Sequence, residues 1–157
     1  MKIGIISDTH GDMHSARQVL SKMGKIDKLI HLGDYYEDGL SLKEIFNGEM
    51  WIVKGNCDGS AKGQEEMVIE IENKKFFLTH GHRYDVKLGL ERLYYRALEL
   101  GCQVALYGHT HISINISKPD LLIFNPGSPS LPRGGSKASF GLIEIERGRL
   151  YGNIVLL

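Results

Sequence analysis

Seven residues of this 157-residue chain are of metal-binding types and fall where apolar runs end. Asp8 and His10 close KIGIISDTH, Asp34 closes KLIHLGD, Asn56 closes MWIVKGN, His80 closes KFFLTHG, and His109 and His111 close QVALYGHTH. Each has an ordinary explanation when taken alone. Asp8 could cap the helix that follows it, Asp34 and Asn56 could serve turns, and the histidines could lie in surface loops. Taken together, two carboxylates, one amide and four imidazoles at five strand ends point to a shared site, because the carboxyl ends of strands in open α/β sheets gather at one edge. Mixed nitrogen and oxygen donors suit Mn, Fe, Co, Ni or Zn better than Mg or Ca. Seven donors exceed one site that must also keep water, so two divalent ions are expected, with Asp34 as the carboxylate between them. Such a pair activates a bridging water and clamps the attacking and leaving oxygens of a phosphate ester. Glycines 33, 55 and 108, each just before a candidate ligand, suit a backbone that passes close to an ion.

These residues need a scaffold, and the hydrophobic pattern supplies one. Short apolar strands are predicted over 2–8, 28–34, 50–56, 75–81 and 103–109. Helices are predicted over 13–23, stopped by Gly24, over 40–47, and from Val86 to Leu100, stopped by Gly101. The opening βαβαβ alternation calls for a parallel sheet with helices packed on it. MVIEIE (67–72) alternates and joins KFFLTHG through an Asn73-Lys74 turn as a hairpin, and antiparallel strands follow from Ser113 onward. The expectation is a mixed α/β sandwich in a single domain over 1–157, with NPGSPSLPRGG (125–135) as one functional loop.

Composition narrows the partners. Nineteen basic residues balance nineteen acidic ones, so no net field draws a polyanion and nucleic acid is disfavoured. No apolar run reaches the roughly 20 residues of a membrane span. With no leader-like start, the expected location is cytoplasmic. Cys57 and Cys102 form no CxxC pair and read as reduced thiols, Cys102 in the core. His14 is expected on the surface, His31 in the core, and His82 in a structural role near the rim. Tyr35, Tyr36, Tyr94 and Tyr95 are expected to be exposed, at a homo-oligomer interface or a substrate rim.

The ordered set DTH (8–10), GD (33–34), GN (55–56), His80 and GHTH (108–111) resembles the calcineurin-like metallophosphoesterase superfamily. The GNCD and NPGS segments are similar to its small prokaryotic phosphodiesterases. The resemblance implies a four-layer αββα sandwich of two mixed β-sheets flanked by helices, and a two-metal site. Asp8, His10, Asp34 and His111 would hold one ion, and Asp34, Asn56, His80 and His109 the other. Asp34, Asn56 and His109 would also act in catalysis. The implied activity is hydrolysis of a small phosphodiester by a hydroxide bridging the ions, with Mn as the expected activator and Ni, Fe or Zn as alternatives.

Two departures bear on substrate choice. Many members carry a histidine after GN, where this chain has Cys57, a weaker proton donor that would favour good leaving groups. The Ser/Thr phosphatases carry GDxxDRG, where this chain reads GDYYEDG. Asp38 in place of the arginine would repel a dianionic monoester and favour diesters. Arg133 is a candidate for binding the substrate phosphate. The alternatives are a protein-binding scaffold, as in the retromer subunit built on this fold, a phosphomonoesterase, or a nuclease.

Overall fold

A computed structural model describes all 157 residues. β1 (Lys2–Ile6), α1 (Met13–Met23), β2 (Lys28–His31), α2 (Tyr36–Ile45) and β3 (Glu49–Ile52) form the opening alternation. Then come the hairpin β4 (Glu66–Ile71) and β5 (Lys74–Thr79), a 3-10 turn at His82–Tyr84, α3 (Glu91–Glu99) and β6 (Val104–Leu106). Strands β7 (Ile114–Ser117), β8 (Leu122–Asn125), β9 (Ser139–Glu146) and β10 (Arg149–Leu156) complete the chain. They build two five-stranded mixed sheets, ordered β10-β9-β1-β2-β3 and β4-β5-β6-β8-β7. β1, β2 and β3 run parallel in the first sheet, and β5, β6 and β8 in the second.

Three apolar clusters show how the layers stack. Ile3, Ile5, Ile30 and Leu32 of the first sheet meet Phe76, Leu78, Leu106 and Phe124 of the second between the sheets. The opposite face of the first sheet, through Ile6 and Leu29, packs on Ala16, Val19 and Met23 of α1 and Leu42 of α2. On the outer face of the second sheet, Phe77 and Ala105 pack on Leu93 and Ala97 of α3. The alternation of side chains along each strand thus produces the four-layer αββα sandwich. At Gly4 a β-carbon would lie 2.9 Å from Ile26 Cδ1 and press on Met23, the last residue of α1.

Several boundaries differ from expectation. Every helix-linked strand ends two to four residues early, because the residues before the site leave the ladder. α2 begins at Tyr36 rather than residue 40, and Gly39 lies inside it, where any β-carbon would press on Ile52. α3 begins only at Glu91, although Val86 still packs in the same cluster as Leu93. Residues 85–88 form a turn instead, with the Leu88 amide donating to Asp85 O at 2.8 Å, and the chain reaches helical geometry only after Gly89 and Leu90. In the β4–β5 hairpin the two turn residues are Glu72 and Asn73, both at positive φ, as a type I′ turn requires. Tyr36 and Tyr94 are half-buried, while Tyr35 and Tyr95 are exposed. His14 lies on the surface, and His31 and Cys102 are in the core.

Candidate metal centre

Both sheets send the carboxyl ends of parallel strands to one edge. There the chain turns sharply: Asp8, His10, Asp34, His109 and His111 all have φ between 49° and 67°. This left-handed region costs a residue with a β-carbon roughly 1–3 kcal/mol. Packing imposes it, and it turns these side chains inward. Asp8 is free for the site because Asp12 caps α1, accepting from the Ser15 amide at 3.0 Å.

Two groups of side chains converge. Asp8, His10, Asp34 and His111 can each present one donor atom within 4.8 Å of the others, and so can Asp34, His80 and His109. Asp34 belongs to both groups. His111 Nε2 lies 3.3 Å from Asp8 Oδ1, His80 Nε2 lies 3.3 Å from Asp34 Oδ1, and His10 Nε2 lies 3.1 Å from His111 Nε2. Asn56, exposed after β3, has its amide nitrogen 3.5 Å from Cys57 Sγ.

The donor set fits divalent ions on grounds internal to the molecule. His80 Nδ1 donates to Leu32 O at 2.8 Å and His111 Nδ1 to Leu131 O at 2.6 Å, so in each neutral ring the Nε2 lone pair faces the cluster. Asp8 Oδ1 and His80 Nε2 are buried and find no hydrogen-bond partner in the protein. Polar atoms so placed are costly unless something pairs with them.

Electrostatics agree. Burial pushes the Asp34 carboxyl up, but the neighbouring His80 and the Cys57 amide outweigh it and hold Asp34 well below the usual carboxylate range. For His80, burial lowers the pKa, yet contact with Asp34 and the charge of Asp8 raise it overall. Burial and the charges of His80 and Lys87 push His109 down to about 4. Partial desolvation and Asp34 raise the Cys57 thiol to about 11, so it stays protonated at neutral pH.

A second ring of residues holds the first, and most of it was not singled out in the sequence. Asp58 accepts four backbone amides: Gly55 at 2.6 Å, Asp34 at 3.1 Å, Tyr35 at 2.8 Å and Tyr36 at 2.6 Å. It therefore ties the loop after β3 to the loop after β2 and caps α2 from outside. Its position three residues beyond Gly55, in a GNCDG turn, is the trace it leaves in the sequence. Ser128 Oγ donates to Asp8 O at 2.8 Å and Ser130 Oγ to Thr9 O at 2.9 Å, so the NPGSPS loop clamps the DTH loop. Asp38 corrects an expectation. It is 6% exposed, and its Oδ2 accepts the Gly11 amide at 2.8 Å, so its charge bears on the DTH loop rather than on an arriving phosphate.

His82 packs beside His80 and His109, with ring centroids 5.6 and 6.1 Å away. Arg133 is exposed; its amide donates to His111 O at 3.2 Å, and its charge helps to lower the His10 pKa, on which burial has the largest effect.

A family profile for the calcineurin-like phosphoesterase superfamily domain matches residues 1–148. The chain belongs to the calcineurin-like phosphoesterase superfamily. It is 34% identical over 148 residues to the probable metallophosphoesterase YsnB of Bacillus subtilis, covering 93% of this chain and 85% of that one. It is 30% identical over 172 residues to the phosphodiesterase YfcE of Escherichia coli, covering 92% and 88%. A crystal structure of a predicted phosphoesterase from Streptococcus pneumoniae superposes with a TM-score of 0.85 at 31% identity, covering 99% of this chain and 88% of that one. In this chain no helix is long and apolar enough to cross a membrane.

Proposed function

We propose that this chain is a metal-dependent phosphodiesterase with a dinuclear centre that hydrolyses a small diester. One ion would be held by Asp8, His10, Asp34 and His111, and the other by Asp34, Asn56, His80 and His109. The observation that carries the reading is Asp34, a single carboxylate shared by two converging groups of donors. When bound, the ions supply a hydroxide nucleophile near neutral pH and offset charge on the phosphoryl oxygens.

The chain's own residues do the rest. Leu32 O and Leu131 O fix the ring orientation of His80 and His111. The Cys57 amide, 3.0 Å from Asp34 Oδ1, keeps that carboxylate in place. Asn56 and His109, as proposed ligands of the second ion, would also act on the phosphoryl group it holds. The protonated Cys57 thiol is a weak acid for the departing alkoxide, so esters with good leaving groups should turn over fastest. Diester preference is supported by the likeness to the Escherichia coli relative, a phosphodiesterase.

The test strips the protein with chelator and follows hydrolysis of bis(p-nitrophenyl) phosphate and p-nitrophenyl phosphate with added Mn, Ni, Fe or Zn. Restoration by Mn of diester cleavage well above monoester cleavage is the expected result. Faster monoester cleavage would make the protein a phosphomonoesterase. No cleavage of either ester with any of the four ions would overturn the enzymatic reading in favour of a binding scaffold.

A further inference from the structure

A cavity of about 780 Å³ lies between the start of α2 and the loop after β3, within the roughly 300–1,000 Å³ of small-molecule sites. Two of its lining residues touch proposed metal ligands. The Tyr35 ring meets the His10 ring edge to face, with centroids 5.5 Å apart, and Cys57 Sγ lies 3.5 Å from the Asn56 amide nitrogen. The cavity therefore adjoins a proposed ligand of each ion. Tyr35 is 44% exposed and Cys57 is exposed, so both can be reached by whatever enters. A phosphoryl group held by the ions has room to lay one ester arm here.

The walls suit a neutral ring. Tyr35, Tyr36, Leu40 and Ala61 supply aromatic and apolar surface. Gly63 lets the loop lie against Tyr36, since a β-carbon there would collide with that ring. Glu37 and Lys62, which also line the cavity, carry opposite charges, and the Asp58 carboxylate is taken up by four backbone amides. No unopposed cation is left to draw an ionic arm.

Tyr35 is held where its ring can serve both sides. Its φ of 79° lies in the left-handed region, which is unfavourable for any residue with a β-carbon, and Asp58 Oδ1 keeps it there by accepting its amide at 2.8 Å. Strain of this kind persists where the surroundings fix a side chain in one place. The ring so fixed stands between His10 and the cavity, and an aromatic ring attracts another in offset or edge-on contact beyond what area alone provides.

We infer that this cavity is the subsite for one arm of the substrate, a neutral aromatic ring that packs on Tyr35, which makes Tyr35 a specificity-determining residue. The inference rests on the phosphodiesterase reading.

Binding, rather than turnover, tests it. The Mn-loaded protein and its Tyr35→Phe, Tyr35→Leu and Leu40→Asp variants would each be titrated calorimetrically with methylphosphonate, benzylphosphonate and cyclohexylmethylphosphonate. The last two have the same reach and nearly the same bulk, and only one of them is flat. The wild-type protein should bind benzylphosphonate about three- to tenfold more tightly than the cyclohexyl compound, and methylphosphonate most weakly. Tyr35→Phe should keep that ratio. Tyr35→Leu, whose β-carbon meets the same backbone strain, should bring it to about one. Because the readout is a ratio, a general loss of metal or phosphonate affinity would leave it unmoved. Leu40→Asp, across the cavity on α2, should weaken both ring compounds relative to methylphosphonate.

Equal affinities for the two ring compounds in the wild-type protein, or a preference that survives in Tyr35→Leu, would overturn the inference. So would the absence of binding by all three probes. Parallel hydrolysis of bis(p-nitrophenyl) phosphate separates the two readings. Aryl preference without hydrolysis leaves the subsite standing and removes the phosphodiesterase, and hydrolysis without aryl preference does the reverse.

Discussion

Asp58 touches no candidate ligand side chain, yet four amides converge on its carboxylate. Asp58→Asn replaces one acceptor oxygen with a donor that faces N–H groups, and should cost about 2–4 kcal/mol of stability in urea titrations. Because two of those amides belong to Asp34 and its neighbour Tyr35, Mn affinity should also fall by roughly tenfold or more in an equilibrium metal titration. His31 allows a prediction about pH. Its Nδ1 accepts the Gly33 amide at 3.2 Å, and its Nε2 is 3.1 Å from Thr9 Oγ1, so the buried ring is neutral with the proton on Nε2. Burial lowers its pKa from 6.5 to about 4. The unfolded chain therefore takes up this proton first as pH falls. The stability is fully present above pH 6.5 and is lost progressively between 6.5 and about 4, on the order of 3 kcal/mol. Metal-free His31→Asn, which keeps an acceptor for Gly33, should show a flatter pH dependence over that window. The ligand types were legible in the sequence because Asp and His after a strand are conspicuous. Asp58, Ser128 and Ser130 were legible only as turn and loop residues, because a side chain that bonds to backbone amides and carbonyls does not reveal in sequence which distant segment it holds.

Among the elements, strand existence was legible and strand ends were not. Period-2 and period-3.6 patterns report which face is buried, whereas ladder termination depends on left-handed turns at Asp8, Asp34 and His109 that no local pattern encodes. α2 was placed late for a related reason. Its start is stabilised from outside by Asp58, more than twenty residues downstream, through the Tyr35 and Tyr36 amides. The glycines that let these elements meet give a sharp expectation. A β-carbon on Gly108 would lie 2.7 Å from Asp8 Oδ2 and collide with Ser7 Oγ. Gly108→Ala should therefore lower phosphodiester turnover at least a hundredfold, because the loops after β1 and β6 are forced apart, while far-UV circular dichroism stays close to the wild-type spectrum.

For the whole molecule, the site is where the two sheets are fastened. Asp8 of the first sheet accepts the His109 amide of the second at 3.0 Å, and His80 of the second donates to Leu32 O of the first at 2.8 Å. Ions bound there would stabilise the sandwich by mass action, each by about 2.7 kcal/mol at a hundredfold excess over Kd. Chelation of both should accordingly lower Tm by roughly 10–20 °C in a calorimetric scan, and added Mn should restore it. The layered architecture was legible from the βαβαβ opening and the late antiparallel strands. The return of β9 to the edge of β1 was not, since pairing over such a span leaves no local trace. That return has a consequence during synthesis. Ile5 pairs opposite Gly141, 136 positions later. At about 5–20 residues per second, β1 waits roughly 7–27 s on the ribosome with one edge bare. Nascent chains stalled before Ser139 should be protease-sensitive across β1, whereas chains extended far enough to free Glu146 should protect it, so the earliest strand made is among the last to be secured.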